Sequence, residues 1–184
     1  KYDLWLHVDA SWGGAAAFLP HDAPERSVLA GLENAHSITI NPHKLLGVTH
    51  QCSFLLVHDK SVLIPPSHSD GGYLFHVPAE DALDMATKTL GCGRRGDALK
   101  FYLVWLRYGT QGLGDHIAHG LRMAQALWQR LQRIPSLELG PHADPLFLQI
   151  CVRPREQSVR ALHAQLQAHG QFAVDYAPLD DGQE

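Results

Sequence analysis

The chain has few cysteines. Cys52, Cys92 and Cys151 are odd in number and widely spaced, which suits neither a disulfide framework nor a zinc motif and reads as free thiols in a reducing compartment. It also lacks an excess of positive charge. Fifteen Lys and Arg stand against nineteen Asp and Glu, for a formal net charge of -4. Without a basic cluster there is no electrostatic footprint for a phosphate backbone, so nucleic acid is not an expected partner. No apolar run approaches the roughly 20 residues that a membrane-spanning helix needs, no internal repeat or low-complexity tract is seen, and these residues offer no targeting segment to read. Histidine is plentiful, but no His-Glu-x-x-His occurs. His116 and His119 lie one helical turn apart without an acidic or cysteine ligand at useful spacing, so no metal site is expected.

What is there suits a folded enzyme, with 45% hydrophobic and 18% charged residues and a cytoplasmic location as the expectation. Leu4-Trp5-Leu6-His7-Val8 and Ser37-Ile38-Thr39-Ile40 are short runs rich in apolar and β-branched residues, as buried strands of an α/β sheet are. A polar group follows each: Asp9 after the first, and Asn41-Pro42-His43-Lys44 after the second. Between them, residues 24–34 carry Val28, Leu29 and Leu32 at helical spacing, giving strand, helix, strand with a right-handed crossover. That arrangement brings Asp9 and Lys44 out at one carboxyl edge, where open α/β sheets bind ligands. A lysine that condenses with an aldehyde cofactor must be held in a fixed place, and an acid must keep the cofactor's ring nitrogen protonated. Asp9 and Lys44 are candidates for those two groups, against the plainer alternatives of a turn aspartate and a solvated loop lysine.

Further along, Phe54-Leu55-Leu56-Val57 reads as another buried strand, and Pro65-Pro66 with Gly71-Gly72 marks a long loop that is the candidate lid. Residues 97–108 read as a helix with Phe101, Val104, Trp105 and Tyr108 on a core stripe, broken by Gly109 and Gly112. Leu113, Ile117, Leu121, Ala124, Leu127 and Leu131 then predict a long amphipathic helix over 113–133, stopped by Pro135. A strand at 146–152, a helix at 157–169 and a strand at 172–176 would open a smaller domain. The expected organisation is a large-domain part over 1–112, a linking helix over 113–134 and the start of a small domain over 135–184.

The wording Trp-Leu-His-Val-Asp-Ala-Ser-Trp-Gly-Gly and Asn-Pro-His-Lys-Leu-Leu-Gly-Val, continued by Gln51-Cys52-Ser53, resembles the group II pyridoxal-dependent amino acid decarboxylases. Tyr73-Leu74-Phe75 and Cys92-Gly93-Arg94-Arg95-Gly96-Asp97-Ala98-Leu99-Lys100 extend the resemblance, which runs from Lys1 to about Arg153. Gln51-Cys52-Ser53 and Tyr73-Leu74-Phe75 favour the glutamate and cysteine sulfinate branch over the aromatic one. The stretch from Tyr73 to Cys92 departs from glutamate decarboxylases, with Asp84-Met85-Ala86-Thr87-Lys88 in place of Asp-Thr-Gly-Asp.

The resemblance implies a fold type I α/β architecture, pyridoxal 5'-phosphate as cofactor, an amino acid substrate, and a homodimer. It implies that Lys44 anchors the cofactor, Asp9 holds its ring nitrogen, and His43 lies near its phosphate, with Asn41 in the same motif. Ser11 stands where the family often has an alanine against the cofactor ring. Tyr73 stands where the glutamate branch has a lid tyrosine that returns a proton to the substrate carbon; the plainer alternative is a tyrosine packed on a neighbouring subunit. The chain opens almost on the Asp-bearing strand, so it reads as the middle of a longer polypeptide. The family's phosphate cradle and ring-stacking histidine are expected upstream, and its substrate-carboxylate arginine downstream. Rival readings are an aminotransferase or carbon-sulfur lyase of the same fold type, and a catalytically silent homologue serving as a partner subunit.

Overall fold

The computed structural model describes residues 4–63, 94–140, 145 and 147–177. Two compact units divide it, Lys1–Ile117 and Ala118–Glu184.

The first unit is organised by a three-stranded sheet in the order β1 (His7–Asp9), β2 (Ser37–Ile40), β3 (Phe54–Val57). Strands β1 and β2 are parallel, with Val8 opposite Ile38 and Asp9 opposite Thr39. Strand β3 returns antiparallel to β2, with Ile40 opposite Phe54. β1 is shorter than the apolar run suggested: Leu4, Trp5 and Leu6 precede it and are exposed. Leu55 and Leu56 of β3 also keep 53% and 49% of their surface, so β3 is not the buried strand its composition predicts.

The connection from β1 to β2 departs from the expected α-helix. It is made of three 3-10 helices, Gly13–Phe18, Pro24–Leu29 and Leu32–Asn34. Gly31, in the left-handed region at φ 89°, separates the last two, and bonds such as Ala30 N–H to Ser27 carbonyl close the tighter three-residue turns. The apolar spacing of Val28, Leu29 and Leu32 therefore does not build one helical face, and Val28 stays 48% exposed. Arg26 ties the second turn to the first by donating to the carbonyls of Ala17 and Leu19, both at 2.8 Å.

The apolar centre of this unit is made of small and medium residues, Ala10, Ala15, Ala16, Leu19, Leu46, Val48, Cys52, Leu113 and Ile117, all under 8% exposed. Gly14 allows its turn to lie on β2, since a Cβ there would sit 2.9 Å from Ile40 Cγ1. α1 (Pro42–Leu45) is one turn with Pro42 at its start, where proline's missing N–H costs nothing.

α2 (Asp97–Leu131) kinks at Gly109, whose φ of 66° and ψ of 175° are not helical, so the break predicted there is present while Gly112 continues the helix. Before the kink, Phe101 packs edge-on against Phe18 and Phe54 at 6.2 and 5.3 Å and lies 5.3 Å from Trp105. Such ring pairs contribute about 0.5–1.5 kcal/mol each beyond area burial. Tyr108, expected on the same core stripe, is instead 61% exposed. Gly114 comes so close to the Gly13–Phe18 turn that a Cβ would meet Phe18 carbonyl oxygen at 2.4 Å.

In the second unit, α2 continues through buried Ala124 and Trp128 and ends at Leu131. β4 (Leu137–Leu139), which the sequence reading passed over, pairs antiparallel with β5 (Val152–Pro154). β5 thus begins where the expected strand at 146–152 ends, Leu146 being outside the described residues. Glu138 on β4 faces Arg153 on β5 at 2.9 Å, with Arg155 at 4.0 Å. α3 (Val159–His169) starts at Ser158, whose hydroxyl accepts from Ala161 N–H at 3.1 Å, and stops at Gly170 in the left-handed conformation. Residues 172–176 form no strand; Tyr176 instead places its ring 5.0 Å from His163 of α3.

Candidate active site

Parallel pairing of β1 and β2 sends both strand ends to one edge of the sheet. Asp9 is the last residue of β1, and Lys44 sits in α1, the turn that follows β2 across Asn41. Both side chains are exposed.

The Asp9 carboxylate is held below its ordinary value of 3.8 by hydrogen bonding to the Ser11 hydroxyl and to the Ser11 N–H, the latter at 2.9 Å. The positive charges of Lys44 and His7 act in the same direction. Asp9 is therefore a hydrogen-bond acceptor at neutral pH. Ala10 leaves the strand by donating to Thr39 carbonyl at 2.9 Å, and Ser11, 8% exposed, lies between Asp9 and the Gly13–Phe18 turn.

The Lys44 ammonium lies 5.7 Å from the centre of the Trp12 ring, and the main-chain N–H of Lys44 donates to Asn41 carbonyl at 3.0 Å. Trp12, given no role of its own in the sequence reading, is the aromatic neighbour of the lysine tip; its place right after Ser11 was the available signal. Asn41 caps α1 by position but not by side chain, and its Oδ1 is buried without a partner. A buried amide with an open valence at a sheet edge is a group that a ligand would satisfy.

His43 is committed elsewhere. Its Nδ1 lies 2.5 Å from Cys52 carbonyl oxygen and 3.1 Å from Cys52 N–H, and its ring stands edge-on to His50 at 4.5 Å. The shorter contact calls for a proton on Nδ1, donated to the carbonyl. Nε2 is then the ring nitrogen left for a ligand. Cys52 is fully buried, which pushes its thiol up from 9.0, and its Sγ donates to Asp97 carbonyl at 3.4 Å.

The structure thus brings Asp9, Ser11, Asn41, His43 and Lys44 to one region. Tyr73, the lid motifs and Cys92 lie outside the described residues. Among the described residues no group of three or more His, Cys, Asp or Glu is placed to hold a metal ion, and no helix is long and apolar enough to cross a membrane.

Residues 1–153 match the family described as the pyridoxal-dependent decarboxylase conserved domain. The chain belongs to that family. This decarboxylase-family chain is 43% identical over 152 residues to the L-aspartate decarboxylase dtxS4 of Metarhizium robertsii, covering 82% of the chain and 30% of the relative. It therefore spans about a third of that relative's length. Among solved structures it is similar to mouse CSAD, at 36% identity and a TM-score of 0.67 over 82% of this chain and 30% of that one. It is also similar to Oryza sativa TDC with PLP and tryptamine, at 26% identity and a TM-score of 0.83 over 97% and 39%. The decarboxylase-family chain accordingly has the fold type I architecture of pyridoxal phosphate enzymes, as an α/β portion of it, and pyridoxal phosphate is its cofactor.

Proposed function

We propose that the protein containing this chain is a carboxy-lyase that converts an acidic amino acid to its amine and carbon dioxide, with Lys44 and Asp9 as its cofactor-holding pair. The observation that carries this reading is the placement of Asp9 and Lys44 beyond adjacent parallel strands, close enough for the lysine's charge to act on the carboxylate. The residues fit the cofactor by their chemistry. Asp9 is an anionic acceptor for a protonated ring nitrogen, Lys44 an exposed primary amine, and Asn41 an amide with an unmet valence at the same edge.

When bound, pyridoxal phosphate supplies an electron sink for the pair left behind by the departing carboxylate. Asp9 keeps the ring nitrogen protonated through a charge-assisted hydrogen bond, and Ser11, by holding the carboxylate, keeps that acceptor aimed. Lys44 anchors the cofactor through its amine and carries a proton to and from the reacting centre. Trp12 limits the volume its side chain sweeps. Ser11 would also present a small face to the ring, and Asn41 and His43 would be contacts for the cofactor on the lysine side, His43 with only Nε2 to offer because Nδ1 is bound to the Cys52 carbonyl. Tyr73 returns a proton to the substrate carbon.

An acidic substrate, with aspartate, glutamate and cysteine sulfinate as the candidates, is supported by the 43% identity to an enzyme named for aspartate. Assembly as a homodimer and a cytoplasmic location complete the proposal. The large-domain part over 1–112, the linking helix over 113–134 and the small-domain start over 135–184 are its proposed organisation.

Product analysis on the complete protein with pyridoxal phosphate tests the reading. Aspartate, glutamate, cysteine sulfinate and an aromatic amino acid are offered, with Lys44→Ala as control. One acidic substrate should give an amine that the control does not. A keto acid product would indicate transamination instead, and a Lys44→Ala protein with near-normal turnover would sink the mechanism.

A further inference from the structure

Lys100, at the start of α2, makes two bonds that a surface lysine of a helix does not need. Its ammonium pairs with Asp97 Oδ1 at 2.8 Å, one turn earlier on the same helix, and donates to the main-chain carbonyl of Gln51 at 2.5 Å, across a sequence separation of 49. The next residue, Cys52, is gripped from both sides. Its Sγ donates to Asp97 carbonyl at 3.4 Å, and its carbonyl accepts from His43 Nδ1 at 2.5 Å. The Cys52 carbonyl also accepts from His43 N–H at 3.4 Å. His43 is the neighbour of Lys44 in α1, and α1 is too short to hold itself together: it has four residues, no side-chain cap and an unsatisfied Asn41.

We propose that Lys100 is a positioning residue for Lys44, acting through the Gln51 carbonyl, Cys52 and His43. An α1 of one turn cannot fix a side chain by its own helical bonds, so the fixed reference must come from outside it. The main chain at 51–52 supplies that reference, and α2 supplies the reference for 51–52. Lysine suits the task because its three ammonium donors satisfy an ion-pair partner and a carbonyl together. Asp97 keeps the ammonium in place, and the two side chains, 30% and 34% exposed, are shielded enough for the pairing to persist. The inference rests on the reading of Lys44 as the cofactor-anchoring residue.

The test uses the complete protein, with Lys100→Met, Lys100→Arg and Asp97→Asn. Three quantities are read: the dissociation constant for pyridoxal phosphate, the absorption band of the cofactor bound at Lys44, and amide hydrogen exchange over residues 41–53 in the cofactor-free protein. Lys100→Met should raise the dissociation constant about tenfold, as expected for loss of one charge-assisted bond, shift the band, and speed exchange in that segment. Lys100→Arg, which keeps a cation and several donors, should recover most of each change. Asp97→Asn should move all three in the same direction by a smaller factor, and decides the matter if Lys100→Met does not fold. A Lys100→Met protein, or failing that an Asp97→Asn protein, with unchanged affinity, band and exchange overturns the inference while leaving the role of Lys44 intact. A wild-type protein that binds no pyridoxal phosphate overturns the role of Lys44 and this inference with it.

Discussion

Replacing Gly114 by alanine isolates the contact that joins α2 to the turn beside the candidate site. On an open helix face this change stabilises, by about 1 kcal/mol, because glycine carries the larger entropy cost. At Gly114 the new Cβ would lie 2.4 Å from Phe18 carbonyl oxygen and 3.3 Å from Phe18 carbonyl carbon. Main-chain atoms cannot swing aside as a side chain does, so the helix and the Gly13–Phe18 turn must separate by several tenths of an ångström. Buried Ala15, Ala16 and Leu19 are part of that turn or adjoin it, and would lose packing. Overpacking of this kind costs about 1–3 kcal/mol, and so short a contact falls at the upper end. Subtracting the propensity gain leaves a net loss of about 2 kcal/mol. Gly120→Ala is the control: among the described residues its Cβ would meet only the Leu148 side chain, at 3.1 Å, and a leucine tip can turn away. Urea unfolding of the complete protein and both variants measures the difference. Gly114→Ala should lower the midpoint, and Gly120→Ala should leave it nearly unchanged. A Gly114→Ala protein as stable as the wild type would refute the close approach of helix and turn.

Acid should weaken the fold through carboxylates that native contacts hold down. Asp97 is lowered from 3.8 by Lys100, and Glu138 from 4.5 by Arg153 and then Arg155, so each contributes stability above its ordinary value that is lost as pH falls through its lower folded value. Unfolding midpoints between pH 5 and 3 should fall, and Glu138→Gln should flatten that fall; an unchanged slope would count against the β4–β5 ion pair. Thiol labelling under native conditions should modify exposed Cys151 at least about tenfold faster than buried Cys52. Equal rates, read by peptide mass, would refute the burial of Cys52.

Much of the site was legible because it depends on strand ends. A β-branched run followed by a polar residue marks the edge of a parallel sheet whether or not the connection is known, so the reading that sets Asp9 after one strand and Lys44 after the next matches the strand ends, while the helix expected between them is three 3-10 turns. The three 3-10 turns escaped notice because Val28, Leu29 and Leu32 carry helical spacing, yet Gly31 and the three-residue hydrogen bonds prevent a continuous face. The strand at 172–176 failed for a related reason: all but Asp175 of its residues are apolar or aromatic, but among the described residues no neighbouring strand offers hydrogen bonds to them. The contacts of the Cys52 main chain with His43 and of the Gln51 carbonyl with Lys100 were beyond sequence reasoning, since they are made by main-chain atoms that residue identity does not report. The kink at Gly109 was legible because few residues other than glycine take φ 66°.

The antiparallel return of β3 has a consequence for chain entropy. Ile40 leaves β2 and Phe54 comes back directly opposite it, so the segment carrying Lys44 is a loop closed at its base by the sheet itself. Closing such a loop incurs a cost that grows only with the logarithm of its length. Once the β2–β3 register is formed, the lysine can explore only the small volume this tether permits, whatever the second unit does. The relation between Asp9 and Lys44 is therefore set within the first unit, by the three short strands and by the α2 contacts to residues 51–52, and exchange of the segments from Ala118 onward for others should leave it in place.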